Sequence, residues 1–459
     1  MGYNNVRKGG DPLELQERLL QIIEAQDAPG TAQLFEEEQD IDIAIALSEL
    51  EDDDILGMFA LLDDEKKALL LEEEEEDEQI RIINLLDIDE ILGIFGHMST
   101  DDITDIVGAL SVRKRKDILN LMTKSDSEEI TQLLRYDPET AGGIMTTEYI
   151  ALRGSLTAMQ ALQKLKEIAP STEVIDTLFV TDYTHRLLGT VDLRNLFAAP
   201  HDERLSEIME ANPISVITDT DQEEVSLLVS KYDLQVMPVT NRRGALLGII
   251  TVDDIIDVLI EEHTEDMLMM SGVSKDERLD SGVWSSVSKR VPWLIVNLAT
   301  AFISSMIVAQ FESTIAQVAV LAAIMPIVAG LGGSAGSQTL SVVIRSLAMG
   351  ELHLRDSMPV IRKQIVVGLI NGLIIGLIAG LFVYMFLGNW ALSLIVFAAM
   401  IGNQLIANII GFIVPIVLAH LNMDPALASS MFVTTTTDVV GFFLLLGLAT
   451  RMIPHLLGL

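Results

Sequence analysis

The chain has 459 residues, no cysteine and a formal net charge of −37. Without cysteine, disulfides and thiolate metal sites are excluded. Residues 286–459 hold seven Lys/Arg and five Asp/Glu, which leaves 23 basic and 62 acidic residues, a net of −39, for residues 1–285; that field repels phosphate and argues against a nucleic-acid partner, while it suits the binding or sensing of cations.

The first thirty residues are polar and acidic with no apolar stretch, so no cleavable signal peptide is expected, and the N-terminal half is expected in the cytoplasm. Residues 1–137 read as an all-α acidic N-terminal domain of short amphipathic helices. Ile55-Leu-Gly-Met-Phe59 recurs as Ile91-Leu-Gly-Ile-Phe95, each after acidic residues, as in a small helical repeat array. Ser99-Thr100-Asp101-Asp102 has the hydroxyls and carboxylates of a helix start, able to accept from free backbone N–H groups. The acidic run 72–78 predicts a solvated helix face or loop, with a divalent-cation site as the weaker alternative.

Residues 138–260 hold an internal duplication. Gly143-Ile-Met145 recurs as Glu207-Ile-Met209, and Gly189-Thr-Val-Asp-Leu193 recurs as Ile250-Thr-Val-Asp-Asp254. Between these anchors each copy shows a helical pattern and a β-rich run, 177–181 and 235–239. Each copy then closes with a strand that leads into an acidic helix start, 188–192 and 247–253. The pattern resembles a tandem pair of cystathionine-β-synthase-type (CBS) domains, α/β modules covering 138–200 and 201–260. That resemblance implies a regulatory module with a cleft for an adenine nucleotide such as ATP. Asp192 and Asp253 stand at the usual position of its ribose-binding acid; simple helix N-caps are the other reading of both.

Residues 261–285 connect this region to the hydrophobic part. Glu261, Glu262, Glu265 and Asp266 cluster there, one turn after Asp257. Spacings of three and four put Asp257, Glu261, Glu262 and Glu265 along one side of a continuing helix. A hard cation with oxygen ligands would neutralise their repulsion; a solvated acidic helix is the alternative.

Five hydrophobic stretches follow, at 291–311, 314–347, 364–387, 391–421 and 425–453, and residues 286–459 read as a five-helix transmembrane domain. Each stretch can cross about 30 Å of hydrocarbon, and the second and fourth are long enough to tilt or to contain a break. Lys289 and Arg290 precede the first, and Arg345, Arg355, Arg362 and Lys363 surround the connection between the second and third. The connections after the first and third hold only Glu312 and no charge, respectively. The excess of basic residues predicts a cytoplasmic N-terminus and a C-terminus on the outside of the cell membrane.

In the last stretch Asp438 interrupts Met431-Phe-Val-Thr-Thr-Thr-Thr-Asp438-Val-Val-Gly. A carboxylate at membrane depth is costly, and such residues mark ion or substrate pathways. The next basic residue of the span, Arg451, is about 20 Å further along a helix, so the helix supplies no ion-pair partner and a passing cation is the candidate. Thr434, Thr435, Thr436 and Thr437 offer hydroxyls, with back-bonding to the helix as the competing use for most of them. Asn403, Gln404 and Asn408 in the fourth stretch suit either a pore lining or hydrogen bonds between helices. Gly330, Gly332, Gly333 and Gly336 in the second suit either exposed carbonyls or close helix packing.

The order of parts (acidic helical domain, paired CBS domains, acidic connecting helix, five spans) resembles the MgtE family of magnesium channels and transporters over nearly the whole chain. Asp221-Gln-Glu-Glu-Val225, Tyr232-Asp233, Met237-Pro-Val239 and the stretch from Gly248 to Asp257 look like that family's second CBS domain. Glu262-His-Thr-Glu-Asp266 looks like the start of its plug helix. Pro326-Ile-Val-Ala-Gly-Leu-Gly-Gly-Ser-Ala-Gly-Ser-Gln338 resembles its second-span signature, and Asp424-Pro-Ala with Phe432-Val-Thr-Thr and Asp438-Val-Val-Gly441 resembles its fifth span.

The resemblance implies a homodimer with a pore between the subunits and passive Mg²⁺ uptake. Asp438 would be the pore carboxylate, with Thr434, Thr435 and Asn408 beside it. It further implies closure by cytosolic Mg²⁺ that bridges acidic residues. The matching positions are Asp221, Glu223, Asp233, Asp254, Asp257, Glu262, Glu265 and Asp266, with Asp101 and Asp102 as N-terminal partners. Two positions depart from the family pattern: Ser334 stands where Asn is usual, and Met431 where Pro is common. A transporter of broader divalent specificity (Mg²⁺, Co²⁺, Mn²⁺) and a membrane-anchored cation or nucleotide sensor are the competing readings. No His-Glu-x-x-His, P-loop or evident nucleophile–base pairing occurs, so an enzyme is not expected.

Overall fold

A computed structural model describes residues 12–168, 176–275, 277, 282–352, 357–421, 423–427 and 429–456. The chain divides into two compact units, Met1–Asp257 and Val258–Leu459.

The first unit begins with ten described helices between Pro12 and Leu133. Most have only eight to ten residues, too short to be stable alone. They hold because each buries an apolar face in one shared core that includes Leu19, Leu34, Ile43, Leu47 and Val107. The two copies of the pentapeptide repeat bury the same positions: Ile55, Met58 and Phe59 in helix Asp52–Phe59, Ile91, Ile94 and Phe95 in helix Ile88–Phe95. Some helix starts carry side-chain caps, the one expected at Ser99 among them, whereas Gln39, Glu51 and Glu75 make no such bond. Asp63 accepts from Lys66 N at 3.0 Å, and Ser99 from Asp102 N at 3.4 Å. Such caps contribute about 1 kcal/mol each. The acidic run is not solvated throughout. Glu72 ends one helix and Glu76–Leu85 forms the next. Glu74, at the reversal between them, is buried, and burial followed by the Glu78 and Glu75 charges pushes its carboxyl up to about 7.

The duplicated region forms two small sheets. Strands Ala151–Arg153, Thr177–Thr181, Leu187–Asp192 and Glu210–Ala211 make the first in that order, and Val216–Ile217, Val236–Thr240 and Leu246–Thr251 make the second. In each, a parallel pair is followed by an antiparallel one. The parallel pairing needs a crossover, which helices Ala158–Ile168 and Gln222–Tyr232 provide. The sheets exchange ends. Glu210–Ala211, just after the second Ile-Met motif, pairs with the first copy's Leu187–Asp192 strand, while Thr146, just after the first motif, bridges to Ile249 of the second. A Cβ on Gly189 would lie 2.8 Å from Met209 Sδ, and one on Gly248 would lie 2.8 Å from Met145 Sδ. Gly189 and Gly248 hold the same register place in the two sheets, so their contacts with the repeated methionine are one contact made twice, crosswise between the copies. The last strand stops at Thr251, and Asp253 and Asp254 begin helix Val252–Met270, where carboxylates favour the N-terminal dipole.

In the second unit, five helices are long and apolar enough to cross a membrane: Val283–Ala309, Val320–Ala348, Met358–Leu387, Trp390–His420 and Ser430–Arg451. The first begins before its hydrophobic stretch because the polar residues around Lys289 and Arg290 continue the helix. The second stretch is broken. A short helix Glu312–Gln317 ends at Val318, whose φ of −133° and ψ of 71° are not helical, and the long helix starts at Val320. Arg355 lies outside the described residues. The third and fourth spans pack along their lengths through Gly368, Gly372, Gly376 and Gly380, which face Leu405, Ile401, Phe397 and Ser393. The second, fourth and fifth spans pack on one another, and the first lies against the fifth.

Candidate cation sites

Asp438 lies midway along the fifth span, with Thr434 one turn before it on the same face. The carboxylate is half-buried, and among the described residues nothing hydrogen-bonds or ion-pairs with it. Thr434 is exposed and stands opposite Gly333 of the second span, whose Cβ would be 3.8 Å from its Oγ1. The neighbouring hydroxyls bond back to the helix: Thr435 donates to Met431 O at 2.7 Å, Thr436 to Phe432 O at 2.8 Å and Thr437 to Thr434 O at 2.9 Å. Back-bonding uses the proton and leaves lone pairs for an ion or its water.

The polar residues of the fourth span serve helix packing. Asn403 Nδ2 donates to Val328 O at 2.8 Å, and Gln404 Nε2 donates to Leu331 O at 3.1 Å. Asn408 accepts from Thr339 Oγ1 at 2.9 Å and donates to Gln404 O at 2.8 Å. Asn408 is therefore buried with both ends of its carboxamide engaged, and offers no open surface to a passing ion. Ser334 donates to Gly330 O at 2.8 Å. The Met431 methyl fills the space beside Gly272, whose φ of +72° favours glycine.

A second group of acids lies in the first unit. Helix Thr100–Ala109 brings Asp101 and Asp102 next to Asp253 and Asp254 of the helix start at Val252, with Glu72 and Glu148 at the margin. Burial, then the Asp101 charge, pushes Asp102 up to about 6, against the pull of the Ser99 hydroxyl. Burial raises Asp254 to about 7 even though Thr251 hydrogen-bonds to it at 2.5 Å. Glu72 rises to about 7 through burial and the Asp102 charge. Asp101 Oδ1 is buried with no hydrogen-bond partner among the described residues. All the donors are oxygens, the set a hard divalent cation takes. Among the described residues, however, no three acidic or histidine side chains converge at metal-ligand geometry.

In the second unit, Glu262, Glu265 and Asp266 lie on the connecting helix, whose last residues Met269 and Met270 pack with Leu340, Ile344 and Val433. Burial, then Asp424, then Glu262 and Glu265 push Asp266 up to about 6. Glu265 also pairs with Lys275 at 3.3 Å. Asp257 is exposed. Asp221 caps helix Gln222–Tyr232 by accepting from Glu223 N at 2.9 Å, and Asp233 ends that helix at φ 52°. Asp192 accepts from Arg194 N at 2.7 Å, the geometry of a helix N-cap.

Sequence patterns named neither Asp105 nor Glu148 as a site residue, and gave Glu72 and Asp424 their parts only in the acidic run and in the fifth-span motif. Asp105, whose carboxyl is pushed up to about 7 by burial and then by the Asp101 and Asp102 charges, follows Asp101 by one helical turn, so periodicity carried a signal for it; Glu148 is brought in from a distant segment and carried none.

Fold and sites together define a multi-pass membrane protein with an acidic helical array and a tandem CBS pair. Residues 325–448 match the MgtE divalent cation transporter family, 38–139 match the MgtE intracellular N domain, and 141–202 and 205–261 match CBS domains. The magnesium transporter MgtE of Thermus thermophilus is 36% identical over 336 residues, covering 73% of this chain and 74% of that protein. The protein of the same name from Bacillus subtilis is 33% identical over 335 residues, with the same coverage of 73% and 74%. Among solved structures, the soluble part of a magnesium transporter is 30% identical with a TM-score of 0.51, covering 55% of this chain and 99% of that one. The cytosolic domain of the Mg²⁺ channel MgtE in complex with ATP is 33% identical with a TM-score of 0.50, covering 53% and 99%. The chain belongs to the MgtE family of divalent cation transporters.

Proposed function

We propose that the protein is a homodimeric, Mg²⁺-selective channel of the cell membrane for passive uptake, closed by cytosolic Mg²⁺. The observation that carries this reading is Asp438, a half-buried carboxylate in the middle of a span with no partner among the described residues. The names of the MgtE relatives support Mg²⁺ as the ion. Mg²⁺ dehydrates reluctantly and keeps several waters, so a carboxylate with Thr434 one turn away suits a hydrated ion held through its water shell. Binding of that kind is weak enough for release. An inside-negative potential drives entry by about 2.3 kcal/mol per charge per 100 mV. The positive flanks support an orientation with the N-terminal unit inside and the C-terminus outside.

For closure, the acids grouped around Asp101, Asp102 and Asp254 repel one another within the first unit when free of metal, and those of the connecting helix do so within the second. A divalent cation turns that repulsion into bridging and shifts the population to the closed state. ATP is a proposed regulatory ligand of the CBS pair, supported by the similar ATP-bound cytosolic domain. Because Asp192 is already bonded as an N-cap, Asp253 is the better of the two ribose candidates. Saturable heat on titrating ATP into the purified protein is the expected outcome; a flat titration removes the nucleotide.

The deciding experiment compares Mg²⁺ flux into liposomes by wild type and Asp438→Ala. Flux in the wild type and at least a tenfold loss (about 1.4 kcal/mol) in the folded variant is expected. Equal flux moves the ion site elsewhere. Competition by Co²⁺ and Mn²⁺ in the same assay separates a Mg²⁺-selective pore from a broader divalent one.

A further inference from the structure

Asn403 is 0 % exposed in the core of the second unit. Its Nδ2 donates to Val328 O at 2.8 Å, and its Oδ1 is buried with no hydrogen-bond partner among the described residues. Reversing the amide would set its oxygen against the Val328 carbonyl oxygen, so the orientation follows from the bond. The carboxamide occupies space that two glycines leave open. A Cβ on Gly332 of the second span would overlap its nitrogen and lie 3.1 Å from Oδ1. A Cβ on Gly441 of the fifth span would lie 2.9 Å from Nδ2 and 3.3 Å from Oδ1.

Gly441 follows Asp438 by one turn, about 4.5 Å along the helix axis. In the neighbouring layer Gly333 faces Thr434 and Thr437, and in the next Gly336 faces Val433 and Ala407. The layer beside Asp438 is therefore the one wedged by a polar side chain reaching from the fourth span to both others. An apolar side chain would fill this space without leaving a buried acceptor unmet, which costs free energy. The amide stands where plain filling would be cheaper, at the depth of the proposed ion site.

We infer that Asn403 is a positioning residue that sets the distance between the second and fifth spans at the level of Asp438, and thereby which hydrated divalent cations pass. The inference rests on the channel reading and deepens it. Mg²⁺ holds a rigid octahedral water shell, whereas Ca²⁺ accepts variable geometry and coordination number. Loosening the wedge should therefore affect the two ions unequally.

The test measures Mg²⁺ and Ca²⁺ influx separately, using the full-length protein in liposomes. The proteins compared are wild type, Asn403→Ala, Gly441→Ala and the double variant. Asn403→Ala should raise the Ca²⁺/Mg²⁺ flux ratio several-fold. Gly441→Ala should lower flux of both ions, because its methyl has no room. The double variant should recover Mg²⁺ flux, because the methyl then enters the space left by the amide. A purely structural Asn403 would lower the yield of folded protein and leave the ratio unmoved. If Asn403→Ala does not assemble, Asn403→Gln keeps the donor, lengthens the wedge and should also shift the ratio. An unchanged ratio in the folded variants, or a double variant no better than Gly441→Ala, overturns the inference and leaves the channel reading intact. No influx of either ion through wild type at low internal Mg²⁺ overturns both.

Discussion

Asp254 is a carboxyl whose proton affinity is raised from the ordinary 3.8 to about 7, first by burial and then by Asp101 and Asp253, against the hydrogen bonds from Thr251. Asp102, at about 6, is raised in the same way. The sign follows from linkage. Below pH 4 these groups are protonated whether folded or not, so they cost nothing. As pH rises through the window from 4 to 7, the unfolded chain ionises first and the folded arrangement is progressively penalised; above 7 the penalty is complete. Divalent metal competes with the proton for the same oxygens. Millimolar Mg²⁺ should therefore raise the Tm of the detergent-solubilised protein by several degrees at pH 8 and by clearly less at pH 5.5. Equal gains at both pH values would remove these acids from the metal response. Asp254→Asn should raise the Tm in chelator and shrink the Mg²⁺-dependent gain at pH 8.

Among the elements, the third and fourth spans pack closely along their lengths. Gly368, Gly372, Gly376 and Gly380 recur every four residues, so one side of the third span is free of side chains and the fourth lies directly on it. A Cβ on Gly372 would sit 2.8 Å from Ile401 Cα, a backbone atom that cannot rotate away. Gly372→Leu should destabilise the pair by about 1–3 kcal/mol, the usual cost of overpacking. Thermal unfolding in detergent checks this; a Tm within a degree of wild type would show that the two helices are not clamped there. The CBS region shows how far the elements were legible. The strand, helix and turn order followed from apolar patterning and from the repeated Ile-Met and Thr-Val-Asp motifs. The crosswise exchange of sheet ends did not, because residues 145 and 248 carry no mark of mutual contact until the chain folds. The length of the second stretch allowed for a break, but its place at Val318 became visible only in the folded chain.

For the whole molecule, the proposed gating depends on acids contributed by several segments acting together. Replacing Asp254, Asp257, Glu262 and Glu265 by their amides at once should leave the protein conducting at internal Mg²⁺ concentrations that close the wild type. Normal inhibition in that folded variant would sink the proposed closure mechanism. Single replacements should each give a partial loss of Mg²⁺ sensitivity, because the remaining acids still repel and still bind.

The division between what sequence and tertiary structure each decided follows the range of the forces involved. Hydropathy, charge asymmetry and local capping act within a few residues. The sequence alone therefore determined the five spans, the helical acidic domain, the tandem CBS pair, the family and the isolation of Asp438 within its helix. Burial and the approach of distant segments act only after folding. Tertiary structure alone decided that Glu74 is buried within its acidic run and that Glu72 and Glu148 join the acids of Asp101 and Asp254. It also decided between the two uses open to the amides of the fourth span. Asn403, Gln404 and Asn408 bond to neighbouring helices because a polar group in an apolar interior must find a partner there.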